Sequence, residues 1–589
     1  MLSQRRMRRM LLVPCVLCLT LYTVQSFFNG VTLVRPWQTH ILTTATVTIL
    51  EQETATQHIN VQQEVEEPLQ PHMFRSDGLL EVNPNGRHPM YDLIERAEAE
   101  WAEKLKRQSK SLDEAVSEYE RRYHRAPPKG FDDWWFYCEY HSVQLPDEYD
   151  QLHNDLEPFW GVDPVDLNRL QAEHESLKDS YTIGKTEDSE TIALLAVARR
   201  EASPNSLPKD YLVQPRGTMD LLQDVSKFIP PFRAVFSSHD NPNLFTDWEL
   251  KTQALQAAAA GKYIDIKQPP PLKHLGWPSA CAPESPLRRT SFNYDVPPSP
   301  PTKKTFIYDH LKAMDPCNHP SLLLHHGQFL SQSQGPMPKQ VMIPQFSHCS
   351  TSMHHDILAA IRLDWVDDIP SDAKPDFQDK LDKRLSWRGT TTGIWDAEHT
   401  RWRNQHRISL VQWANEHNGT VSVLRSTKSR RESVGEGNPV SKARLNAVML
   451  DVAFTSEPRS CAKAGCKVIE EELQFRDWQN STTAGAYKYV LDVDGNGWSS
   501  RFKRLMLSNS LVFKSTIYPG WYQDRIQEYL HYIPVQLDLS DLYDSLTFFR
   551  GDLYGEGAHE ELAAKIAHAG RKWSKEFWRR EDMTAYMFR

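Results

Sequence analysis

The period of apolar and polar positions changes along the chain, and the changes mark its parts. Residues 10–34 carry no charge and are mostly apolar through Phe28, a run long enough to cross a hydrocarbon core. From about Arg35 to Gly86 the sequence is polar, rich in Thr, Gln and Glu, and without sustained period, which predicts a stem. Tyr91 to Tyr123 sets Leu93, Ala97, Trp101 and Leu105 at helical spacing among alternating charges, predicting a long amphipathic helix that Pro127-Pro128 ends. From about Ser189 onward β-like and helical stretches alternate. Phe232 to Phe236 is a short β-like run, Trp248 to Ala260 is helical, and Pro269 to Pro301 is proline-rich and irregular. Tyr487 to Val493 has the β-branched and apolar content of a buried parallel strand; Gly495-Asn496-Gly497 breaks it, and Ser499 to Leu507 restores helical spacing. This alternation on both sides of a boundary near Lys374 to Ser386 predicts two doubly wound α/β domains facing each other.

Charge and cysteine usage add a compartment. Arg5, Arg6, Arg8 and Arg9 precede the apolar run, and no small-x-small cleavage site follows it. The expectation is a cytosolic tail at 1–9 and a signal anchor at 10–34, with everything beyond it in the secretory lumen. Cys15 and Cys18 fall inside that run, leaving Cys138, Cys281, Cys317, Cys349, Cys461 and Cys466, an even set compatible with disulfides; Cys461 and Cys466 are close enough for a local bridge. Asn418-Gly419-Thr420 and Asn480-Ser481-Thr482 are glycosylation acceptors in such a lumen. The net charge of -9 argues against a general nucleic-acid binder.

Two chemistries compete for the segment after Tyr487. Asp492, Asp494, Asn496 and Gly497 stand at positions 1, 3, 5 and 6 of a calcium loop, but Lys503 occupies the seat of its bidentate carboxylate, which is electrostatically wrong. Asp492-Val493-Asp494 also spells a DxD that could hold a divalent ion against a nucleotide diphosphate. The phosphate reading uses more of the segment: a strand, a glycine turn and a helix opening in Ser499-Ser500-Arg501 offer backbone N–H groups and a guanidinium to an anion. A plain βα turn with a serine cap fits the same spacing. Cys317, His319, His325, His326, His348, Cys349, His354 and His355 cluster in the middle of the chain, but their spacings match no paired zinc-ligand pattern, which favours structural or cleft-lining roles over a metal site.

Several ordered blocks then carry a family resemblance: DVDGNGWSSRFKRLMLSNSLVFKST from Asp492 to Thr516, HYIPVQLDLSDL from His531 to Leu542, and AAKIAHAGRKW from Ala563 to Trp573. They resemble the C-terminal half of glycosyltransferase family 90, the family of fungal capsule-associated glycosyltransferases and animal Rumi-type protein O-glucosyltransferases. The aromatic stretch from Pro127 to Gly161 resembles the lead-in of fungal members. The resemblance implies a GT-B arrangement, with an acceptor domain at 127–380 and a nucleotide-sugar domain at 381–589 behind a stem and amphipathic helix at 35–126. It also implies a UDP-sugar donor and no required metal or other cofactor.

Transfer to a hydroxyl calls for a positioned base, because a hydroxyl is too weakly acidic to attack unaided. In AVFSSHDNPNLF, Ala234 to Phe245, the residues alone allow either an Asx-turn closing a strand or such a base; the resemblance makes Asp240 the base. Trp387-Arg388-Gly389-Thr390-Thr391-Thr392-Gly393 offers glycines, hydroxyls and Arg388 to a diphosphate or ribose, and the resemblance singles out Thr390. It also points to Arg407, with Arg403 the alternative because IWDAEHTRW looks inserted, and to Gly497, Ser499 and Arg501. His239, His355 and Asp356 are expected beside the pocket.

The implied protein is an inverting transferase moving xylose or glucose from UDP to a hydroxyl of a glycan or glycoprotein, with UDP-xylose and a mannan-like acceptor suggested by the capsule-associated members. It would sit in the Golgi membrane as a single-pass type II protein. The competing class is a non-catalytic carbohydrate-binding scaffold that keeps the fold.

Overall fold

Two five-stranded sheets organise the chain, and their strands are its densest apolar and β-branched runs. The computed structural model describes residues 68–177, 179–198, 213–296, 302–332, 334–360, 375–395 and 400–589. The first sheet contains β1 (Ser180–Lys185), β2 (Ala193–Ala198), β3 (Phe232–Ser237), β4 (Gln345–Ser347) and β5 (Ile357–Leu358), in the order β2-β1-β3-β4-β5. Here β1 is antiparallel to both neighbours, whereas β3, β4 and β5 run parallel. The second contains β6 (Asp382–Gly389), β7 (Leu450–Phe454), β8 (Tyr487–Val493), β9 (Leu511–Ser515) and β10 (Ile533–Pro534), ordered β7-β6-β8-β9-β10, with every pairing parallel. The fold is therefore α/β, as expected.

The second sheet explains where a ligand would sit. Its order reverses between β6 and β8, and in open parallel sheets ligands bind beyond the carboxyl ends of the strands at such a switch point. β8 is buried along its whole length, which is why seven consecutive residues read as an unbroken run rather than an alternation. In β6 the alternation survives: Trp387 and Gly389 share one face, and Arg388 must take the other.

The helical expectations hold in kind and shift at their ends. Trp248–Ala259 is a helix capped by Asp247, whose carboxylate accepts from the Leu250 N–H at 3.1 Å. The long helix expected from Tyr91 to Tyr123 is two, Pro89–Lys106 and Leu112–Tyr123. The break has a local cause: the Ser109 N–H donates to the Asp147 carboxylate at 2.6 Å, and the Ser111 hydroxyl caps a new helix at the Glu114 N–H. Nor is this region a stem apart. Tyr91, Leu93 and Ile94 bury in the same core as Leu385, Phe513 and Phe548 of the second half, each worth about 1.5–3 kcal/mol of burial. Residues 79–81, inside the expected stem, pair with Thr305–Ile307. The stem and anchor before residue 68 lie outside the described residues.

The expected localisation has to be corrected. Among the described residues no helix is long and apolar enough to cross a membrane, so the structure gives no support to a single-pass type II protein of the Golgi membrane; the run at 10–34 that suggested it lies outside the described residues. Of the six cysteines beyond that run, Cys461–Cys466 and Cys281–Cys317 are bridged, while Cys138 and Cys349 are buried thiols. Phe131, Trp134 and Trp135 of the aromatic stretch are core residues, packed with Trp573 and Tyr586 from the C-terminal helices.

Candidate active site

At the switch point, the backbone carbonyls that end β6 and β8 are gathered by one side chain. Arg407, in the helix His406–Ala414, donates from Nε to the Asp494 carbonyl at 2.6 Å, and from Nη1 to the Thr390 carbonyl at 3.0 Å and the Thr392 hydroxyl at 2.7 Å. Thr390 and Thr392 share a hydrogen bond at 3.2 Å. Arg501 comes in from beyond β8 and donates to the Arg388 carbonyl at 3.1 Å. Both guanidiniums lie near the Trp387 ring, 5.8 Å and 5.5 Å from its centroid, and the buried Trp387 indole N–H has no acceptor.

What these arginines lack is an anion. Neither forms a salt bridge among the described residues, although Arg407 is buried and Arg501 is half-buried. Burial, with the Arg501 charge beside it, lowers the pKa of Arg407 to about 9, and burial lowers that of Arg501. The nearby carboxylates are engaged elsewhere. Asp492 pairs with Lys514 at 2.7 Å and accepts from the Ser499 hydroxyl at 2.6 Å. Asp494 accepts from the Thr516 hydroxyl at 2.7 Å and the Ile517 N–H at 3.0 Å, and burial raises its carboxyl to about 6. Calcium and DxD readings of this acidic pair therefore have no free oxygen cage, and among the described residues no group of His, Cys, Asp and Glu is arranged to hold a metal ion.

Other expected contacts move. Arg388, on the opposite face of β6, pairs with Asp451 at 2.7 Å and donates to the Asp451 carbonyl, so its guanidinium is not brought to Arg407 and Arg501. The Ser499 hydroxyl is turned inward to Asp492. The helix expected from Ser499 runs only from Phe502 to Met506, with Arg501 at its N-cap, too short for a substantial dipole. Gly497 serves the junction between the two halves: a Cβ there would overlap the Asp240 carbonyl and crowd the Cys349 sulfur.

That junction brings Asp240 to the same place. It follows β3 at the carboxyl edge of the first sheet, exposed, with its carbonyl accepting from the Cys349 thiol at 2.9 Å. His239 is also exposed, 3.7 Å from Asp179. His355 and Asp356 instead lie buried beneath the loop rather than beside a pocket. Asp356 accepts from the Leu244 N–H at 2.9 Å and the Gln345 amide at 3.0 Å, anchoring the chain just after Asp240. His355 accepts from the Ile343 N–H at 3.2 Å and meets the Thr246 hydroxyl; burial holds its pKa well below the usual histidine value.

Sequence reasoning missed two stacked imidazoles that join the halves. His326 and His406 stack at 4.1 Å. Each accepts a backbone N–H at Nδ1, from Gln328 and Gly327, so each carries its proton on Nε2 and donates it to Asp494, one to the carboxylate and one to the carbonyl. Burial keeps both neutral, His326 with a pKa lowered to about 3. The glycine between His326 and Gln328, where a Cβ would overlap the Gly393 carbonyl, was the available sign of a close approach. A groove of about 740 Å³ elsewhere, between Glu81, Lys303 and Ser422, contains none of these residues.

Residues 399–589 match the family described as Glycosyl transferase family 90. The chain carries a glycosyltransferase family 90 domain. Arg407, Gly497, Ser499 and Arg501 fall within the matched residues; Asp240, Arg388 and Thr390 fall outside them. The chain is 26% identical to protein O-glucosyltransferase 1 of Rattus norvegicus over 259 residues, 43% of this chain and 57% of the relative. It is 32% identical to protein O-glucosyltransferase 2 of Danio rerio over 155 residues, 26% of this chain and 27% of the relative. With protein O-glucosyltransferase 1 of Bos taurus it shares 32% over 198 residues, 33% of this chain and 45% of the relative. The chain thus spans from about a quarter to little more than half the length of these relatives.

Proposed function

We propose that this chain is an inverting glycosyltransferase of GT-B architecture that moves a sugar from a UDP-sugar to a hydroxyl of a glycan or glycoprotein. The observation that carries the reading is the pair of guanidiniums at the β6/β8 switch point, Arg407 buried and Arg501 half-buried, without a salt-bridged carboxylate. Burying two like charges is costly unless an anion joins them. A nucleotide diphosphate supplies that anion, and its leaving charge would be neutralised by these side chains and by the hydroxyls of Thr390 and Thr392.

Asp240 is the base in this reading. It is exposed toward an incoming acceptor, and no arginine or lysine is paired with it among the described residues. Its carboxylate takes the acceptor proton as the hydroxyl oxygen attacks the anomeric carbon and the UDP oxygen leaves. The names of the relatives favour glucose over xylose as the transferred sugar. The test is release of UDP from UDP-glucose and from UDP-xylose by the wild type and by Asp240→Asn. Turnover that Asp240→Asn abolishes supports the reading, and turnover that survives the substitution contradicts it.

A further inference from the structure

Between Asp240 and the arginine cradle stands one side-chain amide with contacts on both sides of the junction. The Asn496 side-chain oxygen accepts from the Gly393 N–H at 2.9 Å. That bond fixes which way the amide faces, because only the oxygen can accept. The amide nitrogen is then the atom turned to Asp240, 3.5 Å from Oδ2. The Asn496 backbone carbonyl accepts from the Asn241 amide and from the Tyr518 hydroxyl, the latter at 3.4 Å. Both Asn241 and Tyr518 also donate to the Gln328 side-chain oxygen, at 2.7 Å and 3.2 Å.

We infer that Asn496 is a positioning residue that sets the Asp240 carboxylate against the donor loop. The inference rests on the assignment of Asp240 as base and adds to it a division of labour between its two oxygens. The Asn496 N–H₂ addresses Oδ2 from the side of the second sheet, leaving Oδ1 to accept the hydroxyl proton. Through its other end the same amide holds Gly393, three residues past Thr390, so the base and the donor loop take their register from one side chain. Gly497 beside it lets the backbone come this close: a Cβ there would overlap the Asp240 carbonyl. A base held within a fraction of an ångström of productive geometry is what such a connection supplies.

Two substitutions separate orientation from support. Asn496→Leu removes both side-chain bonds at similar volume. Asn496→Asp keeps an acceptor for the Gly393 N–H but loses the donor to Asp240 and sets a second carboxylate beside it. The measurements are UDP release at saturating UDP-glucose or UDP-xylose, UDP affinity by calorimetry, and hydrogen exchange of residues 390–395. Asn496→Leu is expected to lower kcat by about 10²-fold, the range of a misplaced general base, with UDP affinity within about threefold of wild type. The acidic limb of the kcat profile of Asn496→Asp is expected to move to higher pH, because like charges disfavour ionisation. The Gly393 amide should lose protection in Asn496→Leu and keep it in Asn496→Asp.

A kcat for Asn496→Leu within threefold of wild type overturns the inference, as does an effect confined to KM, or Gly393 protection unchanged in Asn496→Leu. Asp240→Asn, run alongside, separates this inference from the reading beneath it. If Asp240→Asn is inactive and Asn496→Leu turns over normally, the base stands and the positioning role falls. If Asp240→Asn keeps wild-type turnover, the assignment of the base falls first.

Discussion

The two sheets present opposite characters at the carboxyl edges where they meet. The first offers an exposed carboxylate, Asp240, on a short loop pinned from below by Asp356. The second offers two guanidiniums, Arg407 buried and Arg501 half-buried, fixed to the ends of β6 and β8, with Trp387 beside both. One edge is open and anionic, suited to an acceptor that arrives with its proton. The other is enclosed and cationic, suited to a phosphate that must be held while charge develops on it. The contrast also separates arginines that look alike in sequence. Arg388 is matched by Asp451 and belongs to the fold, whereas Arg407 and Arg501 are matched by carbonyls and hydroxyls, leaving net charge for a ligand.

Asp240→Asn breaks the open edge and should have the largest effect: kcat for UDP release falls by about 10²–10⁴-fold, with UDP affinity by calorimetry little changed. Gly497→Ala forces the edges apart, and chemical denaturation should register a loss of about 1–3 kcal/mol from overpacking against the Asp240 carbonyl. Arg388→Met leaves the buried Asp451 to Arg476, Tyr487 and the more distant Arg384, costing about 1–3 kcal/mol in the same assay while UDP binding is retained.

How far the sequence reaches follows the same division. β3 and β8 were readable because each is a short apolar run closed by a polar or glycine turn; their positions led to the loop after β3 and to the end of β8, while the choice of Asp240 in that loop came from the family resemblance. The facing of Arg388 was available in principle: once β6 is a strand, residues 387 and 389 share a face that residue 388 cannot. The helix start was not, because Ser499 bonds back to Asp492 and delays the helix to Phe502, a tertiary choice that local spacing does not encode. His406 and Asn496 acquire their roles from partners 79 or more residues away, Gly327 and Asp494 for the first, Gly393 and Asp240 for the second. No local periodicity carries such pairings.

Acid sharpens the comparison more gently, through the stacked imidazoles behind the cradle. His326 has a folded pKa lowered to about 3 from 6.5, so its stabilising contribution is complete above pH 6.5 and is lost as pH falls toward 3. Asp494 works against it: a carboxyl raised to about 6 from 3.8 binds its proton first in the folded state, adding stability as pH falls through that window. His326→Gln removes one proton taken up on unfolding. Between pH 6 and 4 it should make the slope of stability against pH less positive by about 1.4 kcal/mol per pH unit, measured by denaturant titration across pH.

The central claim is that Arg501, half-buried without a salt-bridged carboxylate, is kept for an anion while Arg388 is kept for the fold. Calorimetric titration of UDP into Arg501→Met and Arg388→Met tests it most directly. Arg501→Met should lose about 10–100-fold in affinity, the worth of one charge-assisted contact, with stability unchanged or raised by up to about 1 kcal/mol. Arg388→Met should bind UDP as the wild type does. UDP binding that is indifferent to Arg501, or that depends on Arg388 instead, would contradict the account.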